Sequence, residues 1–178
     1  ESTNITAREL AAKGAPEGTA VVAARQERGK GRRGRSFFSP KGGVYVSMVL
    51  RPQLPAEESA RVTTTAAVQI CRVLEEVCGF QAQIKWVNDV YVDERKVCGI
   101  LTEGALDLEN GGLCYAILGI GINICPPEGG FPPELAGIAG ALREKGGEAL
   151  RAPLAAAVLD EFFALYPHLT EKSFYDDY

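Results

Sequence analysis

The stretch Gly43–Leu50, GVYVSMVL, decides the fold class, because it is a β-branched and apolar run that stops at Pro52 and Pro55. Directly after it, from about residue 56 to residue 78, apolar residues recur at helical spacing, and Gly79 is suited to end that helix. The centre of the chain is therefore predicted to be one buried strand followed by one long amphipathic helix.

Shorter predicted elements surround this pair. Helices are predicted at residues 5–13 and 151–165, and strands at residues 19–24, 81–86, 90–92, 96–102 and 113–118. Turns are predicted at Asp93-Glu94-Arg95 and Asn110-Gly111-Gly112, and a loop at 126–133. Strands with helices between them and at both ends predict an α+β fold, in which helices pack on one face of a mixed sheet.

The composition limits the possible classes of protein. The chain has 178 residues, 46% of them hydrophobic and 24% charged, which excludes disorder and fibrous repeats. No apolar run approaches the ~20 residues of a membrane span, and no signal peptide is evident, so we expect no membrane association. Five Cys without a CxxC pair fit a reducing, cytoplasmic location. His168 is the one histidine, so we expect neither histidine-based catalysis nor a histidine-ligated metal site.

A basic, glycine-containing segment lies at residues 25–35. It carries a net charge of +5, whereas the whole chain carries −4. A local positive segment on an acidic chain indicates an anion site, although a solvated run of charges is the simpler alternative. Residues 29–34 satisfy GxGxxG and residues 29–36 nearly satisfy the phosphate-loop pattern, but a strand and not a helix follows, so both motifs fail on context. Glycines that let backbone N–H groups approach an anion remain the common feature.

Two further segments carry unusual residues. In the first, KWVNDVY at residues 85–91, Lys85 ends an apolar strand, which is costly unless the amine meets an anion or extends beside Trp86 into solvent. In the second, LGIGIN at residues 118–123, the glycines either form a β-bulge or make room for a flat ligand.

In this order, these segments resemble the catalytic domain of biotin–protein ligases. The resemblance is carried by residues 1–4 (ESTN), Gln26, 29–35 (GKGRRGR), 38–40 (FSP), Ser47, 85–89 (KWVND), 96–101 (KVCGIL) and 119–123 (GIGIN). Two positions depart from the family pattern. Lys30 stands where an Arg is usual, which keeps the charge but loses the bidentate fork, and Val87 stands where a Pro is frequent.

The resemblance implies a reaction in two steps. Biotin and MgATP form biotinyl-5′-AMP, and a lysine of a carrier protein then takes the biotin. The nucleophile of the first step is a carboxylate that is already ionised, so positioning and charge neutralisation are needed rather than a general base. ATP, Mg²⁺ and biotin are therefore the expected small molecules, and a biotin carboxyl carrier protein or domain is the expected partner.

The resemblance also assigns residues to roles. The expected catalytic residues are Lys85, Lys30 and Arg33. The expected biotin-binding residues are Ser2, Thr3, Asn4, Gln26, Lys30, Gly31, Arg32, Lys85 and Gly99. The expected ATP-binding residues are Arg33, Arg35, Lys85 and Asn123. No residue is expected to ligate a metal directly. Asp89 either orients Lys85 or the incoming amine, or has a structural role in the turn.

Other functions remain open at this point. A lipoate or octanoate ligase or transferase would share the fold, and an anion- or nucleic-acid-binding module would use residues 25–35 on phosphates. We expect no DNA partner, and a homodimer is possible. Residues 1–170 are predicted to form the catalytic domain, and 171–178 to begin a segment that leads to a small C-terminal domain outside this chain.

Overall fold

The computed structural model describes residues 1–106, 112–169 and 171. Its helices are α1 (Thr3–Ala12), α2 (Ala60–Cys78) and α3 (Arg151–Leu165). Its strands are β1 (Ala20–Ala23), β2 (Gly43–Leu50), β3 (Gln83–Lys85), β4 (Asp89–Val92), β5 (Arg95–Leu106) and β6 (Leu113–Asn123). The predicted α+β class is confirmed. Within the described ranges, no helix combines the length and the apolar character that crossing a membrane requires.

The six strands form one sheet in the order β1-β2-β6-β5-β4-β3. Every pairing between these strands is antiparallel, so the prediction of a mixed sheet is wrong. For β3–β4 and β4–β5 the reason lies in the connections, because these strands follow one another through short turns and a short turn can join only antiparallel neighbours.

The helices cover both faces of the sheet, so the prediction that they pack on one face is also wrong. On the first face, α2 and α3 bury the main core, to which β2 contributes Val46, Met48 and Leu50. On the second face, α1 packs Ala7 and Ala11 against Val49 and Ile117. Because side chains alternate along a strand, β2 supplies both layers, and all eight of its residues are buried.

Element boundaries agree with the predicted ones where glycine, proline or turn residues mark the end of an element. β2 and α3 have the predicted bounds, and α2 ends at Gly79 with the left-handed φ of 73° expected of a C-terminal glycine. Asp93 and Glu94, with φ of 48° and 61°, form the turn between β4 and β5. The predicted turn at 110–112 lies mainly outside the described residues, as does nearly all of 171–178, so the predicted domain limits stay a prediction.

Candidate active site

A cavity of about 450 Å³ lies on the second face of the sheet, beside the first turn of α1. That volume is within the range of roughly 300–1,000 Å³ usual for small-molecule sites. Its lining comes from the start of α1, the basic segment, the β3–β4 turn and the middle of β5 and β6: Ser2, Thr3, Asn4, Gln26, Lys30, Gly31, Arg32, Arg33, Arg35, Ser36, Phe37, Trp86, Val87, Asn88, Asp89, Lys96, Gly99, Ile100, Leu101, Gly119, Ile120 and Gly121.

One end of the cavity is a network of uncharged polar side chains. The backbone N–H and the hydroxyl of Thr3 donate to Gln26 Oε1 at 2.7 and 3.0 Å. Ser47 Oγ lies 2.7 Å from Thr3 Oγ1 and 2.6 Å from Asn4 Oδ1. Ser2, Thr3, Asn4 and Ser47 are all buried. Buried polar groups with fixed partners recognise a ligand by directional hydrogen bonds, because leaving one unpaired is costly.

The glycines of β5 and β6 make room for protein side chains. A Cβ on Gly119 would overlap Asn4 Oδ1. A Cβ on Gly99 or Gly121 would come within 2.6 or 2.5 Å of the Phe37 ring. The register of β6 shows no bulge at Gly119 or Gly121, so that interpretation is wrong; both glycines line the cavity, and room for a flat ligand stays a prediction. The flat group on Gly99 and Gly121 is Phe37, and it lines the cavity in turn.

The basic segment has its own backbone structure. Gly31 N donates to Arg35 O at 2.8 Å and Phe37 N donates to Gly29 O at 2.9 Å, which folds the segment into a tight hairpin. A Cβ on Gly29 would overlap the backbone oxygen of Phe37, so only glycine fits at this position. Arg33 has a left-handed φ of 56°, a conformation that a residue other than glycine rarely adopts and that occurs often at functional sites.

The other end of the cavity is strongly positive. Among the described residues that line the cavity, Asp89 is the one acid, and five are cations: Lys30, Arg32, Arg33, Arg35 and Lys96. Lys96 Nζ pairs with Asp89 Oδ1 at 2.7 Å and lies 5.7 Å from the centre of the Phe37 ring. Lys30 and Lys96 are partly buried, and several cations in one concave surface together attract a polyanion.

Two contacts attach the basic segment to the rest of the site. Lys30 Nζ lies 3.3 Å from Glu103 Oε1, and Asn4 Nδ2 donates to the other oxygen of the same carboxylate at 2.9 Å. Arg32 Nη1 donates to Asn88 Oδ1 at 2.9 Å. The segment is therefore held over the cavity by one ion pair and one charge-assisted hydrogen bond.

Most of the predicted site residues come together here. Ser2, Thr3, Asn4, Gln26, Lys30, Gly31, Arg32, Arg33, Arg35 and Gly99 all line the cavity. Two predicted residues do not. Lys85 is exposed, with its amine 5.3 Å from the centre of the Tyr91 ring, and Asn123 is buried and donates to Gly140 O at 3.0 Å. The structure thus offers Lys85 no contact with a ligand in the cavity.

Sequence reasoning missed Lys96 and Glu103. β4 pairs Val90 with Cys98 but Tyr91 with Lys96, so β5 carries one extra residue at this point. Cys98 and Ile100 face the core, and strict alternation would put Lys96 there too; the bulge turns Lys96 toward the cavity instead. A lysine two residues before a buried alternating run was the available signal for this bulge.

The chain is similar in sequence to known proteins. A profile of the Biotin/lipoate A/B protein ligase family matches residues 1–123. The chain is 43% identical over 148 residues to the bifunctional ligase/repressor BirA of Bacillus subtilis, covering 83% of this chain and 45% of that protein. It is 38% identical over 138 residues to the biotin–[acetyl-CoA-carboxylase] ligase of Paracoccus denitrificans, covering 75% and 56%.

Solved structures give the same result for the fold. The biotin protein ligase of Aquifex aeolicus in complex with biotin and ATP superposes with a TM-score of 0.79 and 32% identity, over 99% of this chain and 71% of that one. The chain spans about half the length of the curated relatives described above. The match over residues 1–123, together with these relatives, shows that the chain belongs to the biotin/lipoate A/B protein ligase family.

Proposed function

We propose that this chain activates biotin with ATP to biotinyl-5′-AMP and then transfers the biotin to a lysine of a biotin carrier protein. The observation that carries the proposal is the polarity of one cavity, with buried neutral hydrogen-bonding groups at one end and five cations against one acid at the other. A substrate with an uncharged polar head and a carboxylate fits the first end, and a polyphosphate fits the second.

Adenylation needs no base in this site, because the carboxylate oxygen that attacks the α-phosphorus is already ionised. The bond that breaks joins the α-phosphorus to the bridging oxygen of the leaving pyrophosphate. The site must hold two anions together and neutralise the charge that grows on the leaving group. We assign the contact with the carboxylate and α-phosphate to Lys96, where the sequence indicated Lys85, because Lys96 lines the cavity and Asp89 fixes its position. Arg33 and Arg35 remain the proposed contacts for the phosphates, and Lys30 remains a proposed catalytic and biotin-binding residue.

Mg²⁺ is proposed to arrive with the nucleotide. Magnesium usually keeps several waters and binds through one or two carboxylates together with substrate phosphates. Among the described residues there is no cluster of three acidic, Cys or His side chains, and the one carboxylate that lines the cavity belongs to Asp89. Asp89 is paired with Lys96, so the ion would bind through the phosphates and water, and it would offset part of the charge of the leaving pyrophosphate.

The partner and the location follow from the same proposal. A biotin carboxyl carrier protein or domain would supply the lysine. A cytoplasmic location is supported by the five cysteines, all of which are free. The possible homodimer stays a prediction, which the molecular mass in solution would test.

Mass spectrometry tests the proposed function directly. After incubation of the chain with biotin and MgATP, we expect a retained mass equal to biotinyl-5′-AMP. A lipoate-specific relative is the second candidate, since the family profile includes lipoate ligases. Thermal unfolding with biotin or with lipoate separates the two, because only the true substrate stabilises the native state. A rise in melting temperature with lipoate alone would contradict the proposal.

A further inference from the structure

A second, smaller cavity of about 190 Å³ lies on the first face of the sheet, beside the start of α2, and it meets the first cavity around the edge of β5. It shares four lining residues with the first cavity, and the rest come from the start of α2 and from β5 and β6. The shared residues are Arg32, Val87, Ile100 and Leu101; the others are Ser59, Ala60, Thr63, Thr102, Gly104, Leu113 and Ala116. It is smaller than the roughly 300–1,000 Å³ usual for small-molecule sites, so it suits a single side chain.

We propose that this second cavity receives the acceptor lysine of the carrier while its amine attacks the activated biotin in the first cavity. The inference rests on the proposed function and adds a site to it.

The position of the second cavity supports this use. The two cavities meet at Arg32, whose guanidinium donates to Asn88 in the β3–β4 turn. Arg32 belongs to the cationic end of the first cavity, where the phosphate of an adenylate would lie next to the reactive carbonyl carbon. A side chain that passes through the second cavity would therefore reach the cationic end of the first cavity beside Arg32.

The chemistry of the lining supports it as well. A lysine attacks only as the neutral amine, and its ordinary pKa of about 10.4 leaves it almost wholly protonated near neutral pH. Among the residues that the structure describes, no carboxylate lines the second cavity, apolar groups make up about half of the lining, and Arg32 is the one charged lining residue. Burial in apolar surroundings and a nearby positive charge both lower the pKa of an amine, so this lining favours the reactive form.

Hydroxyl groups complete the lining. Thr63 and Thr102 form a hydrogen bond of 2.7 Å across the gap between α2 and β5, and Ser59 lies at the start of the helix. Their oxygens can accept a hydrogen bond from an uncharged amine without the charge that would hold a proton on it.

The sheet leaves room for a carrier to approach. β4 pairs with β5 only as far as Gly99, so the described residues of β5 from 101 to 106 have no strand on that side. Thr102 and Gly104, which line the second cavity, belong to this part of β5.

The transfer step forms one bond and breaks one bond. The amine nitrogen of the lysine forms a bond to the carbonyl carbon of the anhydride. The bond from that carbon to the phosphate oxygen breaks, and AMP leaves with the electron pair. The nitrogen then loses one proton to solvent, which gives the amide.

The test separates adenylation from transfer. Ala60→Phe narrows the second cavity at an exposed helix position, and Glu76→Phe, at an exposed position further along α2, is the matched control. Biotin and MgATP are added first and the adenylate is measured, and then a biotin carrier domain is added and amide formation is followed in a single turnover. We expect adenylate formation to be unchanged in both variants. Amide formation should fall by about 100-fold in Ala60→Phe alone, the loss typical of a misplacement of about 1 Å.

A second variant tests the electrostatic part. Ala60→Asp places a carboxylate in the cavity at a position near a helix N-terminus, where an acid is tolerated. The carboxylate stabilises the ammonium form, so the pH profile of transfer should move to higher pH while that of adenylation stays in place. Methylamine, which needs little of the cavity, should react with the adenylate of Ala60→Phe at nearly the unmodified rate.

Three results would overturn the inference: normal transfer by Ala60→Phe, equal loss of both steps, or an unchanged pH profile in Ala60→Asp. Absence of adenylate in the unmodified chain would instead refute the proposed function itself.

Discussion

Replacing Lys96 with methionine removes the cation that the structure places deepest in the candidate site. Its Nζ lies 2.7 Å from Asp89 Oδ1, and the two side chains are only 24% and 25% exposed. Loss of one charge contact aimed at the transition state costs about 2.7–4 kcal/mol, or about 100- to 1,000-fold in rate. The variant also leaves the Asp89 carboxylate unpaired opposite the phosphates. Two like charges about 4 Å apart near a protein surface repel by about 4 kcal/mol, which adds to the lost contact, so we expect the rate to fall by at least about 1,000-fold.

Pyrophosphate exchange with saturating biotin and ATP measures this loss, and Lys85→Met is the matched control. Lys85 lies at the end of β3, and its amine packs over the Tyr91 ring instead of lining the cavity. Its removal should therefore change the exchange rate by less than about threefold. The double variant Asp89→Asn/Lys96→Met should exchange faster than Lys96→Met because the repulsion is gone. Thermal unfolding of each variant is the control that tests whether the variant is folded. Near-normal exchange by folded Lys96→Met, or an equal loss in Lys85→Met, would refute the assignment.

Three further predictions concern the loop, a glycine and a thiol. Arg32→Gly should release the activated biotin, so that unrelated amines become labelled. We also expect the loop at residues 28–38 to become more ordered on binding, so its hydrogen exchange should slow when biotin or the adenylate binds. Equal protection with and without ligand would contradict this ordering. Gly119→Ala should weaken biotin binding by at least tenfold, because the new methyl group displaces the Asn4 side chain from its hydrogen bonds, and calorimetric titration measures this. Burial raises the pKa of the Cys98 thiol, so Cys98 should be the last of the five cysteines to react with a thiol reagent at pH 8, and early labelling there would contradict the core packing.

The parts of the fold that the sequence predicted are those where local signals agree with the tertiary structure. β2 is bounded by glycine and proline signals and is buried on both faces, so its apolar run needs no partner to be recognised. The direction of pairing and the face on which α1 packs depend on contacts between distant residues. The sequence around Ala7 and Ala11 does not determine that α1 packs on the face of the sheet that carries Val49.

The site divides in a similar way. The basic segment and the residues before α1 were found because their glycine and charge pattern has no use in a core. Lys96 was missed because an extra residue in β5 reverses the alternation at that point, and a bulge has no mark in a single sequence beyond a misplaced polar residue. Phe37 was missed because the glycines that seat it come from two other strands.

The pinning of the basic segment at both ends affects the entropy of ligand binding. Gln26 N donates to Ser39 O at 2.9 Å and Gln26 Nε2 donates to Ser39 Oγ at 2.9 Å, so the residues between them form a closed ring of chain. Most of the entropy lost on closing such a ring is already lost when the domain folds, and it is not lost again when a ligand arrives. The ring also keeps its cations at a high local concentration beside the cavity even when their contacts to Glu103 and Asn88 open. A ligand must therefore order only the side chains and a few torsions of the ring, so binding should cost less entropy than it would with a loop held at one end only.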